Sequence, residues 1–348
     1  MSAAITASGI LCAGGRGTDQ VWATTRAGVT RIGNSHVRDQ HNDPIQMGLV
    51  PDAALPPLPP ELDSLGLPSR ARRLLRLASP VLAAVATAAA DAGATGPLPV
   101  FTGLPQLDAA EAPWLANFHA MLAIFSGVKM DPAASRTFPS GRAASLVAIE
   151  AGLEAIRAGA PAAIVGGVDS YLDLKLLSTL DVEGRILGPR VADGFIPGEG
   201  AAYLVLAAQP PPGPRPVLAL GATSLADAGH RYGSEPAKGE GLANALQRLR
   251  AKVGAIPPVA TTFAGFNGEN FDAKLWGVAR LRHNDLFSPT MSMQHPASSI
   301  GDTGAASGAL MMALAATALA RGDRAGPALV WSASDFEMRA CALISAER

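Results

Sequence analysis

The chain of 348 residues contains 28 lysines and arginines against 29 aspartates and glutamates, and 48% of its residues are hydrophobic. This length and composition suffice for one large domain or two medium-sized domains with a substantial core. The near-neutral charge excludes the basic surface that is typical of proteins binding nucleic acids or membrane surfaces. We therefore expect small-molecule or protein partners, with no nucleic acid and no membrane.

The cysteines and the apolar segments bear on the cellular compartment. Cys12 and Cys341 are the only two cysteines, too few to indicate a disulfide framework. The first residues lack the charged segment and long apolar core of a secretory signal. Apolar runs such as 307–320 are too short to cross a bilayer. These features predict a cytoplasmic protein without a transmembrane segment.

The first predicted elements are a proline-rich surface loop at 54–70, a helical pattern at 71–93 and a strand at 98–103. A Pro-Ser-Gly turn at 139–141 then leads into a helix. Its apolar positions, which include Leu146 and Ile149, recur at three- and four-residue spacing. A short apolar strand at 162–167 completes a unit of turn, helix and strand.

The same unit recurs in the second half of the chain. Residues 298–334 contain a small-residue turn, a helix rich in alanine and leucine, and the apolar strand 327–334. Between the two units, residues 210–216 contain five prolines in seven positions, which can continue neither a helix nor a sheet. We therefore predict two halves, residues 1–209 and 210–348, with an α/β architecture, mixed buried sheets and an internal repeat.

Arg142 lies at the hinge between the first turn and its helix. In several enzyme families a sharp strand-to-helix turn presents an attacking side chain, because the helix N-terminus stabilises the anion that forms there. A guanidinium group cannot attack and is repelled by that end of the helix. Either the turn is ordinary structure, or a site has been rebuilt around a charge.

Five segments, in this order along the chain, resemble the β-ketoacyl synthases of the thiolase superfamily. The third of them contains the most recognisable stretch, DGFIPGEGAA. The resemblance implies a thiolase-like, five-layered αβαβα fold with two pseudo-repeated halves. It also implies a homodimer, or a heterodimer with a ketosynthase-like chain. The five segments are residues 3–33, 162–173, 182–209, 224–254 and 298–319.

Members of that family condense an acyl group onto malonyl-carrier protein with a cysteine nucleophile and two histidines. The thiolate attacks a thioester, and the histidines stabilise the charge that develops on the thioester oxygen. By this resemblance, the cysteine falls on Arg142 and the two histidines on Asn267 and Asp302. The family's lysine before the late turn falls on Ala297. Each catalytic position that can be matched is therefore replaced.

The replacements suggest a charge pair. Because the family's cysteine and second histidine converge on one pocket, Arg142 and Asp302 are expected to form a buried ion pair, extended by Glu269 and capped by Asn267. The alternative is that both side chains point apart, towards solvent. Further candidate neighbours of this pocket are Ser140, Glu269, His295, Ser298 and Phe336.

These replacements predict a catalytically inactive β-ketoacyl synthase-like protein that acts through protein contacts. It would partner an active ketosynthase or serve as an adaptor in a bacterial secretion or effector system, with acyl-carrier protein or an effector protein as further candidate partners. The alternative is an acyltransferase or condensing-type enzyme that acts on acyl-carrier-protein or acyl-CoA thioesters through a non-cysteine residue. No catalytic residue, metal or cofactor is assigned.

The form of the old substrate pocket would separate the two hypotheses. An open cavity that reaches Ser140, Ser298 or His295 would favour an enzyme. A pocket plugged by Arg142, Phe138 and Met338 would favour the non-catalytic protein.

Overall fold

A computed structural model of the chain describes residues 2–94, 96–107, 112–210 and 216–346. The elements before residue 210 are β1 (Ala3–Cys12), β2 (Gly15–Arg16), α1 (Thr18–Arg26), β3 (Gly33–Arg38), β4 (Pro44–Met47), α2 (Pro60–Asp63), α3 (Ser69–Asp91), β5 (Val100–Leu104), α4 (Phe118–Ser126), β6 (Arg136–Pro139), α5 (Ala144–Arg157), β7 (Ala162–Ser170), α6 (Leu174–Val182) and β8 (Glu199–Ala207).

The elements after residue 216 are β9 (Val217–Ala226), α7 (Glu240–Val253), β10 (Val259–Ala264), α8 (Asn270–Arg282), β11 (Phe287–Gln294), α9 (Ala297–Ile300), α10 (Ser307–Ala320), β12 (Ala328–Ala333) and β13 (Met338–Ala346). Short 3-10 turns precede the two central helices, at Gly141–Ala143 before α5 and at Gly304–Ala306 before α10.

Two five-stranded arrays repeat one topology. The first has the order β6-β5-β7-β8-β1 and the second β11-β10-β12-β13-β9. In each array the first three strands are parallel, whereas the fourth is antiparallel to both of its neighbours. A short antiparallel pairing of Ala3 and Ala4 in β1 with β9 joins the arrays edge to edge. The α/β fold with two pseudo-repeated halves is thus confirmed.

Helices form three layers around the two arrays. Helix α5 packs against β5 and β7 on one side and β9 on the other, and α10 likewise contacts β8, β12, β13 and α5. Helix α3 covers the outer face of the first array, and α7, with α8 against it, covers that of the second. Eleven of the fourteen residues of α10 are buried, because a helix that is apolar all round must lie between layers.

Helix α3 is long and apolar enough to cross a membrane by length and composition, and half of its apolar window is buried inside the protein. It packs on β1, β7 and β8, with Pro80 inside the helix. A helix with one face buried against a sheet in this way is typical of the core of a globular protein. The cytoplasmic location stays a prediction.

The predicted boundary at 209/210 also stays a prediction. Strand β8 ends at Ala207 and β9 begins at Val217, while residues 211–215 of the proline-rich join lie outside the described residues. The halves share the central layer, since α5 of the first half contacts β9 of the second.

Candidate functional site

Two tight turns place the candidate site between the halves. Gly141 has φ 64° in the turn before α5, and Gly304 has φ 54° in the turn before α10. A Cβ at Gly304 would lie 2.1 Å from Asp169 Oδ2, and one at Gly141 would lie 2.6 Å from Ser334 Oγ. Left-handed backbone and this close approach both call for glycine. The turns bring the residues beside them, Arg142 and Asp302, to one buried place.

Arg142 is 5% exposed and is surrounded by acceptors. Its Nη1 donates to Asp272 Oδ2 over 2.7 Å, and its Nη2 donates to the carbonyl oxygen of Gly265. Its Nε lies 2.9 Å from Asp302 Oδ2 in an ion pair, although the N–H is not directed at that oxygen. The structure therefore brings the predicted Arg142–Asp302 pair into contact and adds Asp272, which sequence reasoning missed.

Asn267 holds Asp302 from the other side. Its Nδ2 lies 3.2 Å from Asp302 Oδ2 and 3.0 Å from Glu269 Oε2, donating to both, while Asp302 Oδ1 accepts from the backbone N–H of Gly304 over 2.8 Å. The predicted capping role of Asn267 is present. Glu269 pairs with Arg185 and Arg231, and the Asn267 amide links it to the Arg142–Asp302 pair.

A second arginine cluster adjoins the first. The Arg185 guanidinium donates two hydrogen bonds to the Glu269 carboxylate, over 2.9 and 2.8 Å. It donates two more to the Asp335 carboxylate, over 3.1 and 2.9 Å. Arg231 lies 3.1 Å from Glu269 and 3.2 Å from Asp335. The cluster ties the connection between α6 and β8 to the second half. The sequence analysis identified neither Arg185 nor Arg231. The one signal for Arg185 is its place in the family-like segment 182–209.

Burial and charge shift the titration of these groups. Burial raises the pKa of Asp272 to about 6, although the Arg142 guanidinium opposes the shift. Burial also works to raise the pKa of Asp335, but Arg185, Arg142 and Arg231 together hold it below its usual value. Burial opposes the charge of Arg142, yet Asp272 and Asp302 raise the pKa of the guanidinium and keep it charged.

The Asp272 shift predicts a pH dependence. Because its folded-state pKa exceeds the ordinary value of 3.8, the folded protein binds a proton between pH 4 and 6 that the unfolded chain does not. The free energy of unfolding of the wild type, relative to Asp272→Asn, should therefore fall as pH rises from 4 to 6, by about 1.4 kcal/mol per unit of pKa shift. Urea unfolding at several pH values measures this difference.

A matched control for that measurement is Asp285→Asn. Arg250 holds the pKa of this exposed carboxyl below its usual value, so its contribution to stability increases with pH and the difference between wild type and variant has the opposite sign. A wild-type-minus-Asp272→Asn difference that stays level or increases from pH 4 to 6 would contradict the assignment to Asp272.

Arg142 separates two cavities. On one side an open cavity of about 420 Å³ is lined by Gly141, Ser334 and Phe336 as well as by Arg142 itself. On the other side a small space of about 20 Å³, room for roughly one water molecule, is lined by Ala297 and Asp302. Arg142 is thus the partition between them.

Four of the candidate neighbours do not line the open cavity. Ser140 and Glu269 do not line the open cavity. His295 Nδ1 lies 3.3 Å from Ser298 Oγ in a separate depression of about 200 Å³ beside Trp22, where the serine hydroxyl also donates to the His295 carbonyl in a local turn. Among the candidates beyond the replaced positions, the structure places Phe336 alone at the open cavity.

The thiols and imidazoles of the chain lie away from this cavity. Cys12 and Cys341 are buried in β1 and β13, and burial raises the pKa of both thiols to about 12, so that both stay protonated at neutral pH. None of the six histidines lines the cavity. Within residues 2–94, 96–107, 112–210 and 216–346, no group of three or more His, Cys, Asp or Glu side chains is arranged to hold a metal ion.

The predicted plug of the old pocket is only partly present. Arg142 lies between the two cavities, whereas Phe138 and Met338 pack against the hydrophobic core and do not line the open cavity. The cavity is open, but it reaches neither Ser140, Ser298 nor His295. The criterion of an open or plugged pocket therefore favours neither hypothesis by itself.

Comparison with known proteins gives one partial sequence match and matches to solved structures over the whole chain. Residues 119–210 match the family model "Beta-ketoacyl synthase, N-terminal domain". No curated protein sequence matches the chain.

Three solved structures show the extent of the structural likeness. The ketosynthase (ApeO) in complex with its chain length factor (ApeC) from Xenorhabdus doucetiae matches with TM-score 0.80 and 19% identity, over 99% of this chain and 98% of that one. The ishigamide ketosynthase/chain length factor matches with TM-score 0.76 and 19% identity, over 100% and 99%. The ketosynthase from module 6 of the bacillaene synthase from Bacillus subtilis 168 matches with TM-score 0.78 and 17% identity, over 100% and 72%. The chain therefore has the thiolase-like fold of the ketosynthases, and its residues 119–210 are similar to the N-terminal domain of the β-ketoacyl synthases.

Proposed function

We propose that this chain is a catalytically inactive ketosynthase-like protein that acts through contacts with other proteins. The observation that carries the proposal is that Arg142, in the turn before α5, is held by structural partners. Its guanidinium is buried and bound to Asp272, Asp302 and the Gly265 carbonyl. A guanidinium that stays protonated and is held by structural partners supplies neither a nucleophile nor a general base.

The surrounding groups support the same conclusion. Asn267 and Asp302, at the positions matched to the family's histidines, have no imidazole to hold a developing oxyanion, and the oxygens of Asp302 already accept from Asn267 and from the Gly304 N–H. Both cysteine thiols are protonated at neutral pH and lie outside the cavity. The chemistry of thioester condensation needs an accessible thiolate and oxyanion donors.

We assign a cysteine-bearing ketosynthase-like chain as the partner, with acyl-carrier protein as a further contact. Two solved structures whose fold this chain shares over almost its whole length are described as a ketosynthase with its chain length factor. Strand β6 ends the first array with β5 as its partner. An edge strand leaves backbone groups available for pairing with a second chain.

Intact-mass measurement after incubation with acyl-CoA and acyl-carrier-protein thioesters tests the loss of catalysis. We expect no adduct on this chain, while a cysteine-bearing ketosynthase incubated in parallel becomes acylated. A stable acyl adduct would overturn the proposal. In that case the site of the adduct identifies the residue used by an acyltransferase.

An acyltransferase with a non-cysteine residue is the second candidate, and the open cavity of about 420 Å³ would be its substrate site. The cavity reaches Ser334, while Ser140 lies in the neighbouring turn. An adduct mapped to either serine would establish this alternative.

Co-expression separates the possible partners. Copurification with a cysteine-bearing ketosynthase as a heterodimer is the expected result. A stable homodimer without that partner would favour the adaptor role in a secretion or effector system.

A further inference from the structure

The open cavity beside Arg142 has the size and the mixed lining of a small-molecule site. Its volume of about 420 Å³ lies within the range of 300–1,000 Å³ that such sites occupy. An apolar wall is formed by Leu107, Leu176, Leu180 and Phe336. The remaining wall is polar and charged, so an occupant needs both an apolar part and a polar group.

The charged side chains that line the cavity balance one another. Three of them are the arginines Arg70, Arg142 and Arg185, and three are the acids Asp169, Glu183 and Asp335. Asp169 and Asp335 are paired with Arg70 and Arg185 over 3.0 and 2.9 Å. The lining alone therefore gives no preference for an anion or a cation.

The charges of the side chains directly behind the lining, the back layer, do not balance one another. Three acids, Glu269, Asp272 and Asp302, pair with the lining arginines, and among the described residues Arg231 is the additional cation that forms an ion pair with this group. With every group ionised, lining and back layer together carry four positive and six negative charges. The neighbouring pairs Arg339–Asp227 and Arg73–Glu199 are each neutral and leave the excess unchanged.

An excess of buried negative charge is costly, and a cation in the cavity would relieve it. Burial is the main cause of the raised pKa of Asp272 and of Asp169, and the neighbouring carboxylates of Asp335 and Glu269 add to the shift at Asp272.

Acceptors and aromatic rings at the cavity are suited to a cation. Gln106 Oε1 is buried and has no hydrogen-bond partner in the part of the chain that the structure describes. Glu183 is one-third exposed, and its Oε2 accepts from the Tyr232 hydroxyl and lies 3.9 Å from Arg185 Nη1, a distance that leaves it open to a second cation. The rings of Tyr232 and Phe336 lie 5.2 Å apart at the same wall, and aromatic faces attract ammonium and guanidinium groups.

We propose that this cavity binds a small organic cation, an amine or guanidinium compound with an apolar part. The cationic group is placed between Glu183, the Gln106 amide oxygen and the aromatic rings, and the apolar part lies against the leucines of α6. Arg70 Nε also lacks a partner, so an oxygen acceptor on the ligand would improve the fit. This inference is independent of the proposed function.

Calorimetric titration with tyramine and agmatine tests the proposal, with 4-hydroxyphenylacetate as the anionic analogue of tyramine. We expect the cations to bind and the anion not to bind. Glu183→Gln keeps the shape of the side chain and should weaken cation binding about tenfold. Glu154→Gln, an exposed carboxylate of α5 that does not line the cavity, should leave binding unchanged.

Thr179→Trp provides a steric test, since Thr179 lines the cavity from an exposed position of α6. The large ring should abolish binding of both cations while the circular dichroism spectrum stays the same. Equal binding of the anion, binding that survives Thr179→Trp, or no binding of either cation at millimolar concentration would overturn the proposal.

Discussion

Replacing Arg142 by alanine is expected to lower the free energy of unfolding by about 3–5 kcal/mol, because removal of one partner from a buried ion pair leaves uncompensated charge behind. The variant would leave Asp272 and Asp302 facing each other without their shared cation, both at most 2% exposed. It would also leave the Gly265 carbonyl without the Arg142 donor. Urea unfolding at pH 7 measures the loss.

A double-mutant cycle shows whether the loss comes from the pair. Arg142→Ala and Asp302→Ala, alone and together, should be non-additive by about 0.5–3 kcal/mol, as for residues in direct contact. Arg190→Ala serves as the control, since Arg190 and Asp43 form an exposed ion pair, with side chains 55% and 45% exposed, for which about 1 kcal/mol or less is expected. Additive losses at Arg142 and Asp302 would refute the pairing.

Replacing Arg185 by alanine should be comparably destabilising, by about 3–5 kcal/mol. Arg185 forms two hydrogen bonds to Glu269 and two to Asp335, and so joins the two halves at the mouth of the open cavity. Without it, two carboxylates near one another keep Arg231 as their shared cation. Denaturant unfolding again gives the magnitude.

Arg185→Lys separates charge from geometry. Lysine keeps the positive charge but lacks the planar fork that binds a carboxylate with two hydrogen bonds, so an intermediate loss of stability is expected. The pKa of Asp335 should rise in Arg185→Ala, because Arg185 is the main cation holding it down. A lysine variant as stable as the wild type would show that the four hydrogen bonds are not required.

The repeated unit of the fold could be predicted because its signals are local. The helical spacing of Leu146 and Ile149 and the apolar strands near 162–167 and 327–334 depend on residues a few positions apart. The structure confirms both units, with α5 followed by β7 and α10 followed by β12. Strand order needed the structure, because pairing of β1 with β9 joins residues more than 200 positions apart.

The candidate site could be predicted in part. Asn267 and Asp302 were found through the resemblance, and both lie at Arg142. His295 and Ser298 were placed near the same pocket because they precede the late turn in sequence, yet the turn leaves them in a separate depression beside Trp22. Proximity along the chain does not determine on which side of a turn a side chain lies.

By itself, the sequence determined the repeated α/β architecture and the presence of an arginine and an aspartate at two matching turns, because both follow from local pattern and family likeness. Only the tertiary structure decided which charges meet. Arg142 and Asp272 are separated by 130 positions, and Arg185 and Asp335 by 150. Such pairs form where the two arrays and their central helices bring distant loops together, and no local periodicity along the chain reports that packing.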